Sequence, residues 1–157
     1  MKFYYSFYNK MTGAGIIPMH FCGDDIRILL VRGKQSGKWG FPKGHLEPNE
    51  DLIGTAIREM KEETNIDVSE SDIDKRIKLG DYTFFLVRMY KLEKVVEQKS
   101  EILESKWMLI EDIMKLDINK VNYPLKLFRF FVKRDKTISQ FISLNSKKIY
   151  IIEPPSP

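Results

Sequence analysis

Glu59, Glu62 and Glu63 stand at i, i+3 and i+4, a spacing that brings three carboxylates onto one stripe of a helix. Like charges so placed repel, and something must compensate them: Arg58, four residues before Glu62, Lys61, or a bound cation. Clustered carboxylate oxygens suit hard divalent ions. Mg2+ in particular binds through a few carboxylates and shares its remaining positions with water and substrate phosphates. Three glutamates alone also describe a solvated Glu/Arg/Lys network, so the surrounding sequence has to decide.

The stripe falls in the clearest helix of the chain. Asn49 is placed to cap it, Glu50 and Asp51 put negative charge in its first turn, and Ile53, Ala56, Ile57 and Met60 recur at helical spacing. Asn65 closes it, as a residue that tolerates the left-handed conformation of a C-terminal stop. Two strands precede it, Gly15 to Met19 and Ile26 to Val31, joined at the Gly23-Asp24-Asp25 turn. Tyr82 to Tyr90 and Ser105 to Ile110 read as later strands. A second helix runs from about Pro124 to Arg134, with Leu125, Phe128, Phe131 and Val132 on its buried side. Strands, a helix, more strands and a late helix predict an α+β fold rather than regular βαβ alternation.

From Gly44 the sequence runs through five residues to Glu50, then through seven to Arg58-Glu59-Met60-Lys61-Glu62-Glu63-Thr64-Asn65-Ile66. This resembles the Nudix hydrolase signature G-x5-E-x7-R-E-U-x-E-E-x-G-U, where U is a bulky aliphatic, at eight of its nine defined positions. The departure is Asn65, where the family has glycine. Asparagine is the usual substitute at a left-handed position, and the turn is expected to survive. Trp39-Gly40-Phe41-Pro42-Lys43-Gly44-His45 is similar to the lead-in found in the messenger-RNA decapping and diadenosine tetraphosphate hydrolase subgroups. Glu101, separated by five residues from Trp107, resembles the further catalytic carboxylate of both.

The resemblance implies an α/β/α sandwich around a mixed sheet. It makes Glu59 and Glu63 the principal metal ligands, with Glu62 sharing the cluster, the Lys43 carbonyl an additional ligand, and Glu101 either a ligand or the general base. Gly44, Glu50 and Arg58 would orient the loop-helix-loop rather than do chemistry. The implied cofactor is Mg2+, with Mn2+ able to substitute. The implied reaction cleaves a diphosphate linkage in a nucleoside diphosphate joined to another group, the ion lowering the pKa of a water and neutralising charge that develops on the phosphates.

Other residues invite binding roles and have ordinary structural ones as well. Arg32, Lys43 and His45 could contact phosphates or stay solvated. Trp39 and Phe41 could stack on a base or belong to the core. Trp107 reads as core, His20 as structural, and Cys22 has no basic neighbour to make it a nucleophile.

The chain has 157 residues, 43% hydrophobic and 31% charged, which fits one domain over residues 1–152 with 153–157 as an extended Pro-rich tail. A chain of this size buries roughly 70% of its unfolded surface and needs neither disulfides nor a structural metal. The single cysteine, Cys22, suits a reducing compartment. With no signal peptide or membrane-spanning run, the expected location is intracellular, in the cytoplasm. No feature sets an oligomeric state.

The formal charge is +4, but eight basic residues and one acidic lie between Lys120 and Tyr150. That basic end suggests a polyanion, with Lys126, Arg129, Lys133 and Arg134 as RNA contacts, or else a solvated helix face. The favoured substrate is the capped 5′ end of messenger RNA. Alternatives are diadenosine tetraphosphate, diphosphoinositol polyphosphates and, in a different class, an inactive fold that binds nucleotides or RNA.

Overall fold

Residues 12–134 are described in the computed structural model; the expected tail, 153–157, lies outside them. They form strands β1 (Gly13–Cys22), β2 (Asp25–Gly33), β3 (Trp39–Gly40), β4 (Lys43–His45), β5 (Ile73–Leu79), β6 (Tyr82–Met89) and β7 (Ile102–Leu109), with helices α1 (Leu52–Thr64), α2 (Ile110–Lys115) and α3 (Tyr123–Arg134). All seven strands join one sheet, in which β1 and β6 run parallel and every other pair is antiparallel.

One edge of β1 carries β6 from Gly13 to His20. The other edge pairs with β2 only from Met19 to Cys22, across a two-residue Gly23-Asp24 turn, and with β4 from Gly13 to Gly15. Strand β2 likewise gives one edge to β7, and shares the other between β1 and β3. The two central strands therefore diverge, and the segment from Trp39 to His45 fills the opening, held by the Ile16 N–H on the Pro42 carbonyl at 3.0 Å. This wedge brings Lys43 and Gly44 beneath α1.

Side-chain alternation along the central strands supplies two cores. Ile17, Ile28, Leu30, Phe84 and Leu86 face α2 and α3 through Ile113, Leu125 and Phe128. Ile16, Leu29, Phe85 and Val87 face α1 through Ala56 and Met60. The mixed sheet with helices on both faces matches the expected α+β sandwich.

The start of α1 differs from the expectation. Asp51, not Asn49, caps it, its Oδ1 accepting from the Gly54 N–H at 2.7 Å, while Asn49 adopts φ 67° in the turn before. Glu50 and Asp51 precede the helix, which has no acid in its first turn. The stop is as expected: Asn65 takes φ 61°, ψ 22° and returns its N–H to the Lys61 carbonyl. Strand β5 has no counterpart in the sequence reading, because Asp74, Lys75, Arg76 and Lys78 break its apolar pattern. It sits at the sheet edge against β6, where charge is tolerated and discourages further pairing. Among the described residues no helix is long and apolar enough to cross a membrane.

Candidate active site

Glu59 and Glu63 point from α1 toward β4, and both are buried, at 9% and 7% exposure. Glu59 lies so close over Gly44 that a Cβ there would fall on its carboxylate. Glu63 Oε1 accepts the Lys43 N–H at 3.2 Å. Burial pushes the Glu63 carboxyl up to about 8, the Glu59 charge adding to the effect and the Lys43 N–H opposing it. Burial also raises Glu59, against the pull of Arg58.

Arg58 is the hub of the loop-helix-loop. Its Nε meets Glu50 Oε2 at 2.6 Å, its Nη1 meets Glu59 at 2.9 Å and Glu62 at 3.1 Å, and its Nη2 donates to the His45 carbonyl at 3.1 Å. Glu50 also receives the Thr55 hydroxyl and the Glu47 N–H. These donors, Arg58 foremost, hold its carboxyl down at about 2. Arg58 and Glu50 thus meet in a bidentate, charge-assisted contact. Glu62 shares the Arg58 Nη1 with Glu59 but is exposed and does not line the cleft that Glu59 and Glu63 enter.

The third carboxylate of the site comes from another part of the chain. Glu101 lines the same cleft of about 630 Å³ as Glu59 and Glu63, together with Lys34, His45 and Tyr82. Its backbone is fixed on both sides, the N–H on the Gln98 carbonyl at 3.1 Å and the carbonyl on the Lys34 N–H at 2.8 Å. Glu104 does not reach the cleft; it pairs with Arg32 at 2.9 Å.

Lys43 brings its Nζ over the Tyr82 ring, 4.5 Å from the centroid, and burial lowers its pKa against the charges of Glu63 and Glu59. The His45 ring lies 5.9 Å from that of Tyr82. Tyr82 was missed in the sequence reading because it opens a strand whose aromatic residues look uniformly like core. Lys34, on the cleft wall, was missed because a loop lysine carries no motif.

Several expected contacts are elsewhere. Arg32 is committed to Glu104 and to the Gly37 carbonyl at 2.9 Å, so its guanidinium serves the β2–β7 pair rather than a phosphate. Phe41 is 1% exposed, packed edge-on against Phe84 and Phe128, and Trp39 is 8% exposed in the same core. Neither presents a face on which a base could stack. Arg129 donates to the carbonyls of Leu116 at 2.9 Å and Ile113 at 3.4 Å, closing the C-terminal end of α2. Of the four basic residues expected on RNA, Lys126 is half-buried and Lys133 and Arg134 are exposed on α3.

In this arrangement Glu59 is turned to Arg58 and Glu63 to the Lys43 N–H, and no three acidic, histidine or cysteine side chains among the described residues converge within ligating range. The donor set nonetheless fits a hard divalent ion. It consists of carboxylate oxygens, two of them buried in a cleft where one arginine is shared among several acids. Three residues before Glu101, Gln98 Oε1 is buried without a partner.

The NUDIX domain family model matches residues 11–127. The chain belongs to the Nudix family. This Nudix domain is 29% identical over 159 residues to the mRNA-decapping enzyme subunit 2 of Arabidopsis thaliana, covering 94% of this chain and 38% of that protein. It is 28% identical over 134 residues to the asymmetrical bis(5′-nucleosyl)-tetraphosphatase of Caenorhabditis elegans, covering 78% of this chain and 96% of that protein. A solved binary complex of the C. elegans Ap4A hydrolase superposes with a TM-score of 0.59 at 27% identity, covering 78% of this chain and 98% of that one.

Proposed function

We propose that this Nudix domain is a Mg2+-dependent pyrophosphohydrolase that cleaves the 5′–5′ polyphosphate bridge between two nucleosides, with the capped 5′ end of RNA as its favoured substrate. The observation that carries the reading is the meeting of Glu59, Glu63 and Glu101 in one cleft with Lys43 stacked on Tyr82. Glu59 and Glu63 would hold the ion, with Glu101 a further ligand or the base that accepts a proton from the attacking water. The ion supplies Lewis acidity and charge neutralisation at the phosphates.

Lys43, His45 and Lys34 offer positive or donor groups to the bridge, and Tyr82 offers a flat face beside them. The cleft volume lies within the range of pockets that enclose a nucleoside-sized ligand, about 300–1,000 Å³. Gly44 lets Glu59 approach the β4 backbone, and Arg58 with Glu50 keeps that approach in register.

Exposed Lys133 and Arg134, together with Lys126, support an RNA body, as does the likeness to a decapping subunit across nearly the whole chain. A free dinucleoside polyphosphate is the second reading. It is favoured by a cleft that is complete without α3, and by the tetraphosphatase that the chain matches over almost all of its length. Purified protein assayed in parallel on capped RNA, diadenosine tetraphosphate and diphosphoinositol phosphates, with product identification, tests the proposal. Release of the cap nucleotide with a rate that rises with RNA length supports it; hydrolysis of the dinucleotide alone replaces it with the second reading.

A further inference from the structure

Beside the large cleft lies a second, smaller pocket of about 140 Å³. The two cavities share Gly33, Ser36, Lys43, Glu63 and Glu101, so the three charged side chains form a common wall. The small pocket adds Lys38 and Asn122, while Lys34 belongs to the large cleft. One short loop therefore supplies a lysine to each side of the wall.

That loop is closed on itself and on the catalytic segment. The Gly33 N–H donates to the Lys38 carbonyl at 3.0 Å, and the Gly37 N–H to the Gly33 carbonyl at 2.9 Å. Gly37 adopts φ 68°, which a side chain would strain. Ser36 Oγ accepts the Lys38 N–H at 3.1 Å, which leaves its own O–H to donate. Lys34 donates its N–H to the Glu101 carbonyl and its Nζ to the Lys99 carbonyl at 3.5 Å. On the opposite wall, Asn122 Oδ1 is taken by the Leu125 N–H at 3.1 Å, so the amide nitrogen is the group it can offer.

Size decides what such a pocket can take. At about 140 Å³ it is less than half the roughly 300 Å³ at which nucleoside-sized sites begin, and beside the shared Lys43, Glu63 and Glu101 it is lined by a second lysine, a hydroxyl and an amide. A phosphoryl group with its hydration fits those dimensions and donors; a nucleoside does not.

Resting on the polyphosphate-bridge reading, we infer that the small pocket is a phosphoryl subsite, holding the phosphoryl group on the far side of the cleaved linkage from the nucleoside in the large cleft. Lys38 and Ser36 bind that group, and Lys34 binds the bridge on the near side. The subsite makes bridge length a determinant of specificity. With three or more phosphates the second nucleoside clears the pocket, whereas with two its sugar must enter a space too small for it.

The test uses Lys38→Gln, with Lys115→Gln on α2 as the control. In calorimetric titration with inorganic tripolyphosphate and Mg2+, Lys38→Gln should bind about tenfold more weakly than wild type, the loss of one charge-assisted contact, and Lys115→Gln should match wild type. In hydrolysis, wild-type kcat/KM should rise from a nucleoside diphosphate sugar to dinucleoside tri- and tetraphosphates, and Lys38→Gln should flatten that rise. Unchanged tripolyphosphate affinity, or an unchanged ranking of substrates, overturns the subsite. Lys38-dependent tripolyphosphate binding by a protein that hydrolyses none of the series upholds the subsite and overturns the proposed function instead.

Discussion

The Gln98 N–H donates to the Glu63 carbonyl at 3.4 Å, so the segment that delivers Glu101 is anchored on the last turn of the helix that delivers Glu63. Val96 makes the neighbouring contact, to the Thr64 carbonyl at 3.0 Å. Both satisfy carbonyls that a helix end leaves without partners. The Trp107 indole holds the start of the same segment, donating Nε1–H to the Glu93 carbonyl at 3.0 Å.

Replacing Trp107 with phenylalanine keeps most of the ring and removes that donor. Steady-state kinetics should register a fall in kcat of about tenfold with KM little changed, because a carboxylate displaced by a fraction of an ångström loses its alignment. A kcat equal to wild type would mean that Glu101 is positioned without the indole.

Glu101→Gln and Glu104→Gln separate two glutamates that lie three residues apart. The first should slow hydrolysis at least tenfold and shift its dependence on pH or metal concentration. The second removes only the exposed pair with Arg32, a contact of the kind worth about 0–1 kcal/mol, and should leave rates alone. Similar behaviour of the two variants would assign the downstream carboxylate elsewhere.

Glu63→Gln should lower turnover on the order of a hundredfold or more and yet stabilise the metal-free fold at alkaline pH. The Glu63 carboxyl is raised from 4.5 to about 8, so between those values the folded protein retains a proton that the unfolded chain releases. Stability of the wild type in chelator should therefore fall as pH rises through this window, and the variant should lack that component. Glu50 acts in the opposite sense: its carboxyl, at about 2, contributes stability above 4.5 that is lost as pH falls. Melting curves of both proteins from pH 4 to 8.5 give the comparison. Divalent metal should raise the wild-type melting temperature most at pH 8, with proton release on binding at lower pH.

Gly44→Ala tests the approach of Glu59 to β4. The added methyl would displace a carboxylate held by Arg58, and metal affinity measured by titration should drop about tenfold or more. Unaltered affinity would mean that Glu59 moves aside at no cost.

The basic residues of α3 should divide into two kinds. Arg129→Gln should destabilise the fold by about 1–3 kcal/mol in denaturant melts, because the Leu116 carbonyl loses its donor and the Ile113 carbonyl keeps only the Leu116 N–H. Changing Lys126, Lys133 and Arg134 together to glutamine should weaken binding of capped RNA progressively with its length and flatten the salt dependence, without affecting a dinucleotide. Equal loss for short and long substrates would remove α3 from the RNA path.

Much of the site was legible because its spacing is local. Glu59, Glu62 and Glu63 share one helix, Asn65 is a recognisable stop, and Gly44, Glu50 and Arg58 stand at fixed offsets from them. What spacing could not convey was direction. Arg32, Arg129, Trp39 and Phe41 are the residue types that bind nucleotides, and each is occupied within the fold by a partner distant in sequence: Glu104, the end of α2, or the core around Phe84 and Phe128.

The chain by itself determined the carboxylate helix, its family signature and the alternation that buries both faces of a sheet, since these follow from periodicities of a few residues. The tertiary structure alone decided that Glu62 stays exposed while Glu59 and Glu63 line the cleft, that Lys43 lies on Tyr82, and that one loop serves two cavities. Those relations depend on β1 and β2 diverging to admit the Trp39–His45 wedge. Such an opening comes from pairing between strands, and no local pattern of side chains specifies it.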